Sequence, residues 1–387
     1  MRVLHVVDSL AGSGGAEHGL VREITRFSPR IEQRVVRLYE RAELEPLLAD
    51  AGIEVTALGL AAASGSRTFP QAAMKLRPIV TSYRPDVIHT SLFLGNLVGQ
   101  IAARATGVPV LSTFVLSGDL ALLKSTQPGA ASLKAAGIRR IAALSARMSH
   151  ARFRALSNDA RLTNCRLLGV SPDLVEVIPR GVPEPVGALM PRADLGLPEG
   201  VPLIVNVARV AAQKGQVHLL RSFATLRSAR PDSHLVIVGR AGDAERSVDE
   251  EISRLGLTGH VTMLGYTPFA RHVVSHASVF AFSSLMEGLG TAVIEALVAE
   301  VPVVAFDISP VRDATDDGRG ARLVEVGDEA GFAKALLAGL DGELASVAEH
   351  GARFAAANGN LDDISARLER LLIAVASHSS LGAISQG

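Results

Sequence analysis

Short β-branched runs alternate with longer amphipathic stretches along this chain, which is the signature of a mostly parallel sheet with helices on both faces. Val3 to Val7, Val35 to Leu38, Val55 to Leu58, Val87 to His89 and Val108 to Leu111 have the strand pattern. Between them, Ala16 to Phe27 and Leu94 to Thr106 carry apolar residues at helical spacing. The same grammar restarts after Pro198, with strands expected at Leu203 to Val207, Leu235 to Val238, Val261 to Leu264, Val279 to Phe282 and Val303 to Phe306. Pro109 and Pro302 each end a helical pattern and preset the following strand as extended.

The chain has 387 residues, too many for one ordinary core when a domain takes roughly 100–200. Val182 to Pro202 holds five prolines and three glycines and reads as a linker. Two doubly wound domains are therefore expected, over 1–182 and 183–360. Ile364, Leu368, Leu371, Leu372 and Val375 mark an amphipathic helix from about Leu361 to Ala376.

Composition narrows the functional classes. With 48% hydrophobic and 20% charged residues, the chain is packed and globular rather than disordered. Lysine plus arginine equals aspartate plus glutamate at 39 each, so no global field draws it to nucleic acid. The single cysteine, Cys165, cannot form an internal disulfide or a multi-cysteine metal site, reads as structural, and fits a reducing, cytoplasmic location. The apolar start meets Asp8 too soon for a signal peptide. No run approaches the ~18 apolar residues of a membrane span, although peripheral contact with a membrane stays open.

Three stretches carry candidate chemistry. After the first strand, Asp8 to Glu17 includes Gly12, Gly14 and Gly15 ahead of a helix; such a turn brings backbone N–H groups to a phosphate or is a simple tight turn. Its spacing is neither the dinucleotide fingerprint nor a P-loop. In the second half, Arg209 and Lys214 follow the strand Leu203 to Val207, where ligands bind in such sheets. A diphosphate is their natural counter-charge, and a solvated pair of loop cations is the alternative. The third stretch, Phe282 to Leu297, leads from a strand through Gly288 and Gly290 into a helix starting near Thr291. Glu287 then lies at the helix mouth and Glu295 about one turn inside, with helix-start N–H groups between them.

Taken together, these residues resemble glycosyltransferase family 4. The resemblance rests on Gly14-Gly15-Ala16-Glu17, Arg84-Pro85-Asp86-Val87-Ile88-His89, Ile178-Pro179-Arg180-Gly181, Arg209 with Lys214-Gly215, Glu287 with Glu295, and Asp317-Gly318 with Gly320. It implies the GT-B fold, two Rossmann-like α/β domains facing across a cleft, with the terminal helix (361–387) joining the N-terminal domain. It implies retaining, metal-independent hexosyl transfer from a UDP- or GDP-type nucleotide-diphosphate sugar to a glycan or lipid-linked acceptor, with no further cofactor. By the same resemblance, Arg209, Lys214 and Glu287 are the catalytic group. Arg209 and Lys214 hold the diphosphate, Glu295 the ribose, Glu287 the sugar or its phosphate, and Gly288, Leu289 and Gly290 cradle phosphate. Gly14 and Gly15 close on the donor from the N-terminal side.

Two departures stand out. The family commonly has a histidine near the reaction centre after the fifth strand, where this chain has Ser112-Thr113-Phe114-Val115. His89 is the nearby acceptor-side candidate, with a satisfied structural histidine as the alternative. Ser309-Pro310-Val311-Arg312-Asp313 replaces the usual glycines and glutamate. A protein of this fold that binds nucleotide sugar without transferring it is the second reading, while a nicotinamide oxidoreductase lacks its glycine spacing. Residues 121–170 carry Lys124, Lys134, Arg139, Arg140, Arg147, Arg152, Arg154, Arg161 and Arg166 against Asp159. This basic face suits an anionic membrane or acidic acceptor, or is simply solvated.

Overall fold

The computed structural model describes residues 1–12, 15–60, 68–115 and 130–384. It divides into one unit of Met1–Gly181 with Leu361–Gly387 and a second of Val182–Asn360. In the first, the strands are β1 (Arg2–Val7), β2 (Glu32–Tyr39), β3 (Glu54–Leu60), β4 (Val87–Ser91), β5 (Val110–Phe114), β6 (Arg152–Ala155) and β7 (Val175–Val177). They form one sheet in the order β3-β2-β1-β4-β5-β6-β7, parallel throughout. The second unit holds β8 (Leu203–Val207), β9 (His234–Val238), β10 (Val261–Gly265), β11 (Val279–Phe282), β12 (Val303–Phe306) and β13 (Arg322–Val324). Their order is β10-β9-β8-β11-β12-β13, again parallel. Each sheet thus begins in the middle, grows to one edge, and returns to grow to the other. The reversal points, β1/β4 and β8/β11, are where two loops leave adjacent strands in opposite directions and open a crevice.

Both faces of the first sheet are buried, so its strands are apolar at successive positions rather than alternating. Leu4, Val6, Val36, Ile88, Val98 and Phe153 form one core layer. Val3, Val7, Val35, Val87 and Leu111 form the other, beneath the helix Gly15–Ile24 and the terminal helix Leu361–Ile384. The terminal helix contributes Leu368, Leu372 and Val375 to that layer. Polar ties fix its register, with Arg26 Nε donating to Asp362 at 2.8 Å and the Ser28 hydroxyl to Glu369 at 2.6 Å. Gly181 lies where the chain returns, and a Cβ there would sit 2.6 Å from Leu361 Cα.

The stretch expected as a linker, Val182 to Pro202, is instead strapped to the second unit. Arg192 donates to the carbonyls of Pro198, Val201 and His276, and His276 bonds back to the Met190 carbonyl at 2.7 Å. Leu195 and Leu197 are buried. Prolines remove donors and fix backbone angles, which suits an ordered strap as well as a flexible connector.

The strands β6, β7 and β13 have three or four residues interrupted by charges, which hid them in the sequence. Arg154 in β6 explains one interruption. It is fully buried and grips Glu23 bidentately, Nη1 to Oε2 at 2.8 Å and Nη2 to Oε1 at 2.7 Å. Arg154 therefore does not belong to the exposed basic face proposed for residues 121–170. Lys124 lies outside the described residues. Arg180, also buried, bonds the same carboxylate and donates to the Ala16 carbonyl at 3.1 Å, lying so close that a Cβ on Gly19 would meet its Cδ at 2.7 Å. This cluster ties the helix behind the glycine turn to β6 and to the end of the unit.

Burial disfavours the charged form of Glu23, but Arg154 and Arg180 outweigh it and hold the carboxyl below its ordinary value. Its contribution is therefore present at neutral pH and lost as pH falls through that lowered value. Replacing Glu23 with Ala leaves two buried guanidinium groups without their counter-ion. The expected cost is about 3–5 kcal/mol, checked by chemical denaturation at pH 7.

Candidate active site

The clearest constellation lies at the carboxyl ends of β8 and β11, the reversal point of the second sheet. The loop after β8 turns through a short 3-10 segment, Ala212–Lys214, into the helix Gln216–Leu226. The loop after β11 runs through Ser283 to Gly290 into the helix Thr291–Val298. These loops are stitched together, the Ser283 hydroxyl donating to the Lys214 carbonyl at 2.9 Å and the Leu285 N–H to the Gln213 carbonyl at 2.9 Å. Gly215 makes this approach possible. Its φ is +65°, and a Cβ would fall 2.1 Å from the Ser283 carbonyl oxygen.

The stitch presents Lys214 Nζ to Glu287 Oε1 at 2.5 Å, both side chains largely but not wholly covered. An ammonium has three donors, so this bond leaves two directions for other oxygens. Arg209 is exposed at the end of the same strand. Its carbonyl accepts from Gln216 Nε2 at 3.0 Å, and its Cγ lies 3.4 Å from where a Gly242 Cβ would stand. Gly288, Leu289 and Gly290 are buried, and Gly290 caps the helix start with φ +81°. Glu295 is half-buried inside that helix. The structure thus pairs Lys214 with Glu287 and anchors Arg209 and Glu295 on the two adjoining elements. Backbone N–H groups at the helix start suit an anion.

Sequence reasoning missed a neighbour on the next strand out. Arg240, just after β9, places its guanidinium 4.2 Å from the ring centroid of Tyr266, just after β10. Tyr266 is half exposed, so the pair offers a flat face of the kind that stacks with planar rings.

In the first unit, Gly15 is exposed at the start of its helix, and Gly14 lies outside the described residues. The Ser9 hydroxyl donates to Glu17 at 3.2 Å, and His18 bonds the Gly12 carbonyl at 3.1 Å. Asp8, the first residue beyond β1, sends its carboxylate to the start of the helix Phe93–Thr106. Oδ1 accepts from the Gly95 N–H at 2.5 Å and Oδ2 from the Leu94 N–H at 3.4 Å. Burial pushes this carboxyl up to about 7 against the pull of those two N–H groups. Asp8 was not singled out from sequence. Its one signal there is being the polar residue that ends a buried strand.

His89, expected on the acceptor side, lies inside the sheet at 1% exposure. Gln33 Nε2 donates to the Ile24 carbonyl, so its Oε1 accepts from His5 Nε2 at 3.1 Å. His5 Nδ1 must then accept from His89 Nδ1 at 3.0 Å, and His89 Nε2 from the Thr113 hydroxyl at 3.0 Å. Burial lowers His5 to about 4 and takes His89 well below its ordinary value, so both rings are neutral. This closed row crosses four strands and satisfies every ring nitrogen. Val115, where the family commonly has histidine, follows β5 half-buried. Among the described residues, no group of three or more His, Cys, Asp or Glu side chains is arranged to hold a metal.

Two glycosyl transferase family models match the chain, one over each unit. Residues 5–181 match the glycosyl transferase 4-like domain, and residues 191–361 match glycosyl transferases group 1. An uncharacterized glycosyltransferase of Methanocaldococcus jannaschii is 37% identical over 105 residues, 27% of this chain and 26% of that protein. The 2-deoxystreptamine N-acetyl-D-glucosaminyltransferase of Streptomyces fradiae is 27% identical over 277 residues, 67% of this chain and 63% of that one. The matched stretches therefore span less than two thirds of either relative. Among solved structures, Anabaena HepE in complex with UDP superposes with a TM-score of 0.80 at 20% identity, covering 97% of this chain and 100% of that one. The two parallel-sheet units and these likenesses define a GT-B fold. The chain belongs to the family-4 type of glycosyltransferase, with its N-terminal and C-terminal family domains in that order.

Gly215→Ala forces a side chain into a left-handed position and against the Ser283 carbonyl. A loss of at least ~1–2 kcal/mol is expected, together with release of the loop holding Glu287. Thermal melting measures the first, and amide exchange at Leu285 the second.

Proposed function

We propose that this protein transfers a hexosyl group from a nucleotide-diphosphate sugar, bound in the Val182–Asn360 unit, to a hydroxylated glycan or lipid-linked acceptor. The observation that carries this reading is the Lys214–Glu287 pair, held at the β8/β11 reversal beside a helix start. Arg209 and Lys214 supply the positive charge that a leaving diphosphate needs, in the place a metal would otherwise take; retention of the anomeric configuration is proposed from the family resemblance. Lys214 exchanges part of its bond with Glu287 for phosphate oxygens, and Glu287 turns to sugar hydroxyls. Glu295 takes the ribose, and the face of Arg240 over Tyr266 receives the base, of the UDP or GDP type. The UDP complex of HepE, a structural neighbour, supports a nucleotide donor.

We assign the exposed part of the basic segment to peripheral contact with an anionic membrane. Ile141, Leu144 and Met148 are exposed one turn apart on the helix Ala130–Met148, with Arg140 and Arg147 beside them. Apolar residues flanked by arginines suit an interface. No helix among the described residues is long and apolar enough to cross a membrane.

Nucleotide release is to be measured with UDP- and GDP-sugars in EDTA, with and without acceptors. Wild type is expected to turn over one donor class, and Lys214→Ala to lose roughly 100- to 1,000-fold in turnover. Donor binding with no turnover across the panel would mark a silent nucleotide-sugar-binding protein. Sedimentation with phosphatidylglycerol vesicles is expected for wild type and lost in L144E/M148E, whereas equal sedimentation of both contradicts the membrane assignment.

A further inference from the structure

Where β8 and β11 part, side-chain amides take over bonds that the strands no longer make, and one of them bears on Arg209. Alternate residues of a parallel strand bond to opposite neighbours. On the β9 side of β8, the Pro202 carbonyl accepts from the His234 N–H at 3.0 Å, and the Ala208 and Val210 N–H groups donate to the Val238 and Arg240 carbonyls at 2.9 Å each. On the β11 side, the Leu203 carbonyl accepts from the Ser278 N–H at 2.8 Å. Odd-numbered residues of this stretch therefore face β11, Arg209 among them. Pairing with β11 has ended by then, with Val205 and Phe280 as its last partners. The Arg209 carbonyl thus points to a strand that no longer answers it.

Gln216, the first residue of the helix Gln216–Leu226, supplies the missing donor. It is 1% exposed, and its Nε2 donates to the Arg209 carbonyl at 3.0 Å, closing the loop that carries Lys214. Asn206 does the same for the facing strand. The Phe280 N–H donates to Pro302 on the β12 side, so Ala281 faces β8, and its carbonyl accepts from Asn206 Nδ2 at 2.8 Å. Because only the nitrogen can donate to a carbonyl, these bonds fix how both amides are turned. Their oxygens, Gln216 Oε1 and Asn206 Oδ1, are buried and meet no donor among the described residues. A buried acceptor without a donor is a cost, so what each amide contributes is its bond to a freed carbonyl.

The other edge of the Arg209 peptide is held from β9. A Cβ on Gly239 would fall 2.0 Å from the Ala208 carbonyl oxygen, and one on Gly242 2.3 Å from that of Val210, so the loop after β9 lies directly against this stretch. The Ala212 N–H donates to Asp243 at 3.2 Å. Arg209 is exposed, so its guanidinium extends from wherever this peptide places it. With the β9 side fixed, Gln216 is the tie on the crevice side.

We infer that Gln216 is a positioning residue for the donor site: its amide sets the Arg209 peptide, and through it the direction from which the guanidinium meets the diphosphate. This rests on the donor reading above, in which Gln216 touches neither the nucleotide nor the sugar. A glutamine that only braced the loop would change binding by the same factor whatever residue stood at 209.

The test is a double-mutant cycle in the full chain, read by calorimetric titration with UDP and with GDP. Gln216→Met keeps the side chain's length and apolar stem and loses the amide. Arg209→Ala is expected to weaken nucleotide binding by at least ~10-fold and Gln216→Met by roughly 3- to 10-fold. In the R209A background, Gln216→Met is expected to add less than about twofold, because the residue through which it acts is gone. Melting of Q216M should stay near that of wild type, since the orphaned oxygen leaves together with the bond. Gln216→Asn, whose amide is one methylene short of the Arg209 carbonyl, carries the same cycle if the methionine variant does not fold. Unchanged nucleotide affinity in Q216M overturns the inference. So does an equal loss in both backgrounds. Wild type that binds neither nucleotide, or R209A that binds as tightly as wild type, defeats the donor reading and this inference with it. Wild type that binds and is weakened by R209A, with the Gln216→Met effect simply adding, defeats Gln216 alone.

Discussion

The contact on which the candidate donor site depends is backbone against backbone, where Gly215 lies over the Ser283 carbonyl. Two loops leaving adjacent strands of a parallel sheet would normally splay apart. Here the absence of one Cβ lets them meet, and the Ser283 and Leu285 bonds close the seam. Lys214 and Glu287 then face each other at 2.5 Å as a consequence of loop geometry. The ion pair is an effect of the seam, whose backbone bonds set the positions from which the two side chains reach each other.

The first unit has a buried ionic anchor away from its reversal point. Its glycine turn leads into a helix whose far side is secured by Glu23, buried between Arg154 and Arg180. Buried charge of this kind adds little net stability, yet it permits few alternative packings. It ties together residues from three distant parts of the chain, and the terminal helix covers the same face of the sheet.

Much of this was legible in the sequence because parallel sheets declare themselves. Strands such as Leu203–Val207 and Val279–Phe282 are apolar on both faces, and their observed bounds coincide with the expected ones. The same holds for the start of the helix at Thr291, marked by glycines. What stayed hidden was whatever depends on long-range partners. β6 reads as polar because Arg154 finds Glu23 more than a hundred residues away. The strap at Val182 to Pro202 looks like a linker because its bonds go to Arg192, Arg271 and His276 side chains and carbonyls that no local pattern predicts. His89 looked available because sequence does not reveal that His5 and Thr113 close on both its nitrogens. Asp8 was silent for the same reason, its two partners lying on another helix.

The Lys214 and Glu287 loops are proposed to hold a nucleotide diphosphate, and calorimetric titration of wild type and Lys214→Ala with UDP and with GDP, in EDTA, reads that out. Saturable binding of one nucleotide by wild type is expected, with at least a ~10-fold weaker constant for the variant, as loss of one charge-assisted phosphate contact implies. Equal affinity in the two proteins, or no binding of either nucleotide to wild type, would rule the site out.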